Sequence, residues 1–142
     1  MEKGEPLPHL DAFGLVGDLP ELEGKIVYLD FWASWCAPCK ASFPDMQEVY
    51  EKYKDRGVIV VAVGVDDSEK AMNRFLSRMN ATFPTVWDRE QKLVDRAKVD
   101  VMPTSFLIGR DGVIVSRHRG WLGDRSKKKL IGEIEALLKD EV

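Results

Sequence analysis

Two long apolar runs in the chain predict buried strands. Residues 26–32 (IVYLDFW) are apolar except for Asp30, and residues 58–66 (VIVVAVGVD) form a second, more apolar run. Continuous apolar residues, rather than alternating ones, are typical of strands that are buried on both faces. We therefore expect two central strands, with Asp30 as a buried acid in the first.

Helical periodicity follows each of these runs. Behind the first run the apolar residues recur three or four positions apart, and Gly57 is placed to end that helix. Behind the second run, residues 68–78 carry the i, i+3, i+4, i+7 pattern of another helix. The apolar positions of the two helices are Met46, Val49, Tyr50 and Tyr53, and Met72, Phe75, Leu76 and Met79. Alternating strands and helices predict parallel strands with helical crossovers.

The remaining elements predict a mixed sheet. Residues 83–88 indicate a short strand and residues 89–99 (REQKLVDRAKV) a short helix. The runs TSFLIG and VIVSRHRG flank Arg110-Asp111-Gly112, and an Asp-Gly pair between two strands favours a hairpin turn. Residues 124–138 form a last helix with one apolar stripe, which consists of Leu130, Ile131, Ile134, Leu137 and Leu138. We expect an α/β fold.

Composition limits the function classes. A chain of 142 residues that is 44% hydrophobic is the size of one domain. We assign residues 1–9, with two prolines and alternating charges, to an N-terminal tail and residues 10–142 to one domain. A net charge of −3 with mixed signs gives no basic surface for nucleic acid. No apolar stretch approaches the roughly 20 residues of a membrane span.

The chain has two cysteines, Cys36 and Cys39, which could belong to a metal site, a structural disulfide or a redox centre. A structural zinc site needs four ligands, and the spacing of His9 and His118 matches no zinc pattern, so we expect no metal. The pair follows a buried strand and opens a helix, whose N-terminus favours a thiolate. Such positions lower a thiol pKa from about 8.5 to between ~3.5 and 7.5. This position favours a redox centre.

The residues between the cysteines fit that interpretation. Pro38 suits the first turn of a helix, where its missing N–H costs no hydrogen bond. Cys39 lies one turn into the helix, so we expect it to be more buried and less acidic than Cys36. A thiol of that kind suits the resolution of a mixed disulfide formed at Cys36.

The motif FWASWCAPCK, with MPT at residues 102–104, resembles the thioredoxin superfamily. The resemblance extends from residue 26 to residue 138. The extra segment at about residues 68–101 is similar to the TlpA and ResA type of thiol:disulfide oxidoreductase. The resemblance implies a thioredoxin fold, with a central mixed sheet and helices on both faces. Members of that type are commonly exported bacterial proteins that reduce disulfides, including those of apocytochromes c or of copper-centre assembly partners.

The resemblance also implies roles for individual residues. Cys36 matches the attacking cysteine, Cys39 the resolving one, and Pro103 the cis-proline beside them. Independently, a proline that opens a strand is tolerated at the strand's start, which leaves a trans proline as the alternative. For Trp35, which matches a tryptophan flanking the active site, the alternative is a core residue. Substrate contacts are implied for Trp35, Ala37, Pro38, Met102 and Thr104.

Two positions depart from the resemblance. Many TlpA and ResA relatives carry a glutamate where this chain has Ser42. Asp30 lies where thioredoxins proper have a buried aspartate, whereas their partner lysine aligns with Ala62. Burial without that partner is expected to raise the pKa of Asp30 above ~3.9, which would suit a general base acting on Cys39. The alternative is a structural carboxylate near the surface.

We expect an enzyme without a cofactor that cycles between the Cys36–Cys39 dithiol and disulfide. A Cu(I) chaperone that uses the same thiolates and a peroxiredoxin relative are the alternatives, although no P-x-x-x-T-x-x-C pattern is present. The expected partners are protein disulfides or dithiols and an upstream thiol donor, and the expected state is a monomer. Residues 1–9 lack the apolar region of a signal peptide. We expect a periplasmic or extracytoplasmic protein whose signal or anchor lies outside this sequence, with a cytoplasmic protein as the alternative.

Overall fold

The computed structural model describes residues 1–140 and consists of a five-stranded sheet flanked by helices. The strands are β1 (Ile26–Trp32), β2 (Val58–Gly64), β3 (Thr85–Trp87), β4 (Thr104–Ile108) and β5 (Ile114–Arg119). The α-helices are α1 (Ala37–Tyr53), α2 (Glu69–Met79), α3 (Lys92–Arg96) and α4 (Asp124–Lys139). The strand order is β3-β2-β1-β4-β5. The first three strands of that order are parallel to one another, and β4 is antiparallel to both of its neighbours, β1 and β5, which confirms the predicted mixed sheet.

The central strand β1 lies between β2 and β4, and all seven of its residues are buried. Its continuous apolar pattern follows from that position, because side chains on both faces pack against helices. Trp32 packs on Phe43 of α1 and Phe75 of α2. Phe31 points to the opposite face, where it meets Phe106 of β4.

Helices cover both faces of the sheet. α1 contacts both α2 and α4 on the face of Trp32. On the other face, Arg117 of β5 donates to the carbonyls of Ala97 and Lys98, which follow α3. α3 in turn contacts a short 3-10 turn at Leu10–Phe13. The two-sided cover confirms the layered arrangement that was expected from the sequence.

The end of α1 agrees with the prediction that Gly57 stops this helix. The helix ends at Tyr53, continues as a 3-10 turn over Lys54–Arg56, and stops at Gly57, which has a φ of 77°. That left-handed backbone is easily adopted by glycine, which has no side chain to clash.

Two segments differ from their sequence predictions. Residues 4–7 are not a free tail, since the Gly4 N–H donates to the Ile114 carbonyl at 2.8 Å and the Leu7 N–H to Gly112 at 2.9 Å. α3 spans five residues, fewer than the eleven predicted. Gln91 and Lys98 flank it with φ of 60° and 54°, a left-handed conformation that cannot continue a helix.

The predicted domain of residues 10–142 ends in two residues, 141 and 142, that lie outside the described part of the chain. Among residues 1–140, no helix has both the length and the apolar composition that a membrane crossing requires.

Candidate active site

The two cysteines lie where β1 passes into α1, and they form a disulfide with their Cα atoms 5.2 Å apart. Cys36 is the N-cap residue of α1 and has an extended backbone, with φ −99° and ψ 110°. The Cys39 N–H donates to Cys36 Sγ at 3.2 Å, and the Lys40 N–H donates to the Cys36 carbonyl at 3.2 Å. The helix N-terminus thus directs a backbone donor at the first sulfur, as the sequence predicted.

The surroundings of the two sulfurs differ in exposure. Cys36 is 5% exposed and Cys39 is fully buried, so the predicted order of burial is confirmed. Ala37 and Pro38 are exposed next to Cys36. Trp35 is 71% exposed, so the alternative that it is a core residue is wrong.

The Met102–Pro103 peptide bond is cis, so the alternative of a trans proline is wrong. Thr104 lies opposite Phe31 in the β1–β4 register. Because antiparallel neighbours run side by side, Met102 and Pro103 lie alongside the chain that leads from β1 to Cys36. The Pro103 carbonyl accepts from the Gly120 N–H at 2.7 Å, which ties this loop to the end of β5.

An open groove of about 920 Å³ adjoins the loop. Trp35, Val101 and Met102 are among its apolar lining residues. Thr104 is buried, and its hydroxyl donates to the Val101 carbonyl at 2.7 Å. Of the residues expected to contact substrate, Trp35, Ala37, Pro38 and Met102 reach the surface, whereas the Thr104 side chain braces the loop from inside.

Asp30 is 1% exposed at the centre of the sheet, so the alternative of a carboxylate near the surface is wrong. Its neighbours in the register are Ala62 on β2 and Ser105 on β4. Within residues 1–140 its Oδ2 atom has no hydrogen-bond partner. Burial raises the pKa of this carboxyl well above its ordinary value of 3.8, because no lysine offsets the cost of the charged form.

Sequence reasoning missed a second aspartate, Asp66, which follows β2 and is 3% exposed. Its Oδ1 accepts from the Ser34 N–H at 2.8 Å, and its Oδ2 accepts from the Ser34 hydroxyl. The indole N–H of Trp87 donates to the Asp66 carbonyl at 2.7 Å. These bonds fix the segment that carries Trp35 and Cys36. The available signal was topological, since the carboxyl ends of parallel neighbours such as β1 and β2 meet at one edge of a sheet.

Ser42, which replaces the glutamate of many TlpA and ResA relatives, is fully buried. Its hydroxyl donates to the Cys39 carbonyl at 2.9 Å, so its bond stays within α1. Among residues 1–140, no group of three or more His, Cys, Asp or Glu side chains is placed to hold a metal ion.

A five-stranded mixed sheet, a Cys-Ala-Pro-Cys pair at a helix N-terminus and a cis-proline beside it define a protein with the thioredoxin fold. The Redoxin family model matches residues 7–130. ResA, a thiol-disulfide oxidoreductase of Bacillus anthracis, is 35% identical over 140 residues, which are 96% of this chain and 79% of that protein.

Solved structures agree with these sequence matches. A protein described as the thiol:disulfide interchange protein DsbE of Chlorobium tepidum superposes with a TM-score of 0.89 and 38% identity, covering 97% of this chain and 99% of its own. An exposed lipoprotein thioredoxin, Etrx1 of Streptococcus pneumoniae strain TIGR4, gives a TM-score of 0.71 at 29% identity, covering 84% of this chain and 96% of its own. The chain belongs to the Redoxin family and is a ResA-like thiol:disulfide oxidoreductase.

Proposed function

We propose that this protein reduces disulfides of exported partner proteins, with Cys36 as the attacking thiol and Cys39 as the resolving thiol. The bond from the Cys39 N–H to Cys36 Sγ carries this proposal. A backbone donor and the positive end of the α1 dipole both stabilise negative charge on that sulfur. Cys39 has no exposed surface, so an incoming protein reaches Cys36 first.

The reaction begins when the Cys36 thiolate attacks a substrate disulfide and forms a mixed disulfide with one substrate sulfur. Cys39 then loses its proton and attacks Cys36 Sγ, which forms the Cys36–Cys39 bond and breaks the bond to the substrate. Each substrate sulfur leaves as a thiolate that takes a proton from solvent, so the substrate is released as a dithiol and the protein holds the disulfide. Asp30 is the general base for the second attack. Burial raises the pKa of its carboxyl, so its carboxylate binds a proton more strongly than that of an exposed aspartate.

The substrate-binding surface is the set of side chains around Cys36. Trp35 and Met102 offer apolar contacts at the end of the groove, while Ala37 and Pro38 flank the sulfur. The backbone of Met102, next to the cis bond, pairs with the extended substrate. Exposed large apolar side chains among residues 1–140 are Trp35, Val101 and Leu122. Two of these three line the groove, which leaves little apolar surface for self-association and supports a monomer.

Apocytochromes c are the partner class that the ResA resemblance favours, and another thiol protein restores the dithiol. The Streptococcus pneumoniae relative Etrx1 is an exposed lipoprotein, which supports a place outside the cytoplasm for this protein. The resulting protein is an extracytoplasmic reductase that receives electrons from an upstream thiol donor.

The test uses a peptide with a C-x-x-C-H haem-attachment motif in its disulfide form. The reduced protein should reduce this peptide at least as fast as it reduces insulin, and Cys36→Ser should not react. Equilibration with glutathione buffers should place the protein at a strongly reducing potential. A strongly oxidising potential would contradict a reductase role. Tight Cu(I) binding, or fast consumption of peroxide, with no peptide reduction would favour the two alternative functions.

A further inference from the structure

A row of polar side chains leads from Asp30 to the edge of the sheet. Asp30 of β1 lies opposite Ser105 of β4, and Ser105 lies opposite His118 of β5. Cross-strand partners point to the same face of a sheet, so the three side chains share the face that α1 and α4 cover. His118 is two strand spacings from Asp30, about 10 Å.

The outer end of the row reaches solvent at a contact between a histidine and a glutamate. His118 Nε2 lies 2.6 Å from Glu133 Oε1 of α4, and the two side chains are 21% and 30% exposed. The Ser116 hydroxyl also reaches Glu133, at 3.4 Å. His118 is therefore held at the protein surface with one ring nitrogen engaged.

A cavity of about 400 Å³ runs beside the row. Tyr28 and His118 both line it. Tyr28 is two residues before Asp30 on the same face of β1. Hydroxyl groups that donate and accept in turn, together with water in a polar cavity, provide the units through which a proton is passed.

Asp30 needs such a route. The carboxyl is 1% exposed and one oxygen has no partner among the described residues, so a proton that it takes from Cys39 has no direct contact with solvent. The neighbours across β2 offer only Ala62. The polar residues that follow Asp30 across the sheet, Ser105 and His118, lie on β4 and β5.

We propose that Ser105, Tyr28 and the His118–Glu133 pair form the proton exit for Asp30, an inference that rests on the role of Asp30 in the proposed function. When Cys39 attacks Cys36 Sγ, the Cys39 proton moves to Asp30. The proton then passes along the hydroxyls and the cavity to His118, which releases it to solvent, and Asp30 returns to its charged form for the next turnover. No electrons move in this step, since the sulfur atoms carry the whole redox change.

The titratable groups that face the route come from three elements. β1 contributes Asp30 and the neutral Tyr28. α4 contributes Glu133 against His118, and Arg125 and Lys129, which line the cavity. Arg119 of β5 lines the same cavity and pairs with Asp100.

The test compares two histidine variants in the full-length protein. Multiple-turnover disulfide reduction is measured at pH 7 in dilute buffer, so that few buffer molecules are available to carry the proton instead of His118. His118→Gln keeps a nitrogen donor for Glu133 but cannot carry a proton, and it should slow turnover about tenfold. Added imidazole should restore the rate. His9→Gln, at an exposed position in the N-terminal segment, should behave like the wild type.

Further variants separate failure of the exit from failure of the base. If Asp30→Asn turns over at the wild-type rate, Asp30 is not the base and the proposed role fails together with its exit. If Asp30→Asn is slow and His118→Gln is not, Asp30 keeps its role as the base, and the proposed proton exit through His118 is refuted. A slow His118→Gln that imidazole does not restore also refutes the exit. Ser105→Ala, which interrupts the row at its centre, should be slow as well, and should add nothing to Asp30→Asn.

Discussion

Two aspartates near the cysteines, Asp30 and Asp66, are buried to nearly the same degree, at 1% and 3% exposed. Asp66 lies at the carboxyl end of β2, where both of its oxygens accept hydrogen bonds from Ser34. Asp30 lies inside β1 between Ala62 and Ser105, and its Oδ2 has no partner among residues 1–140. The two regions therefore differ in hydrogen bonding and not in burial.

This difference assigns the two acids different tasks. Hydrogen bonds from Ser34 make Asp66 a brace for the segment that carries Cys36. Burial without such bonds raises the pKa of Asp30 well above 3.8, which makes its carboxylate a stronger base than that of an exposed aspartate. Burial alone thus does not identify a catalytic acid, because the decisive feature is the set of donors around the carboxyl.

The largest effect on activity is expected for substitutions of the two cysteines that lie near these aspartates. Cys36→Ser should abolish disulfide reduction, and Cys39→Ser should accumulate a mixed disulfide with substrate through Cys36. Mass spectrometry of each variant after incubation with substrate measures this directly. Equal alkylation rates of the two thiols at pH 6 would contradict the division of labour on which the comparison rests.

Removal of the brace should cost stability. Asp66→Ala eliminates two bonds to a carboxylate and leaves the Ser34 N–H without its partner, so we expect a loss of about 2 to 3 kcal/mol in the free energy of unfolding. Asp66→Asn, which retains one accepting oxygen, should lose about 1 kcal/mol. Urea denaturation at pH 7 measures both. A loss no larger for alanine than for asparagine would show that the Ser34 bonds contribute little.

Asp30→Asn should instead raise the free energy of unfolding at neutral and higher pH. Because folding raises the pKa of Asp30, the wild-type protein loses stability as the pH rises from the unfolded pKa of 3.8 through the folded pKa. Asparagine does not titrate, so the variant should match the wild type below about pH 4 and exceed it by about 1 kcal/mol or more at pH 8. Denaturation curves at a series of pH values check this. A variant that is less stable at pH 8 would indicate that the Asp30 carboxylate has a stabilising partner.

The smallest effect on stability is expected for Trp35, which follows the braced Ser34. Its side chain is 71% exposed, so Trp35→Ala should change the free energy of unfolding by less than about 0.5 kcal/mol. Reduction of a protein disulfide should nevertheless slow several-fold, whereas reduction of a small aromatic disulfide should not. Equal slowing for both substrates would place Trp35 in the chemistry and not in substrate contact.

Local patterns predicted the fold well where a segment determines its own structure. The strand Ile26–Trp32 was predicted with its observed ends, because burial on both faces leaves a continuous apolar run. α3 was predicted too long. The left-handed backbone at Gln91 and Lys98 ends the helix on each side, and because neither residue is a glycine, the sequence contains no sign of it. The attachment of Gly4 and Leu7 to the β4–β5 hairpin depends on backbone bonds across more than a hundred residues, which no local pattern encodes.

The residues of the site likewise fall into those that local sequence predicts and those that depend on distant contacts. Cys36 and Cys39 were found because their spacing and their place after a strand are local features. The burial of Asp30 was predicted because this acid interrupts an apolar run, and the structure confirms it. The bonds from Ser34 to Asp66 join residues that are 32 positions apart, so they required the parallel register of β1 and β2. The exposure of Trp35 likewise depends on the turn that follows β1.

The comparison is tested most directly by the rate at which Cys39 resolves a mixed disulfide at Cys36. A single-turnover measurement at pH 7 compares the wild type with two conservative variants, Asp30→Asn and Asp66→Asn. Asp30→Asn should slow resolution about 100-fold, as loss of a general base does, and the difference should shrink as the pH rises toward the pKa of a free thiol. Asp66→Asn should remain within about threefold of the wild type. Equal rates for the wild type and Asp30→Asn across pH 6 to 9, or equal slowing by both variants, would contradict the assignment of Asp30 as the base.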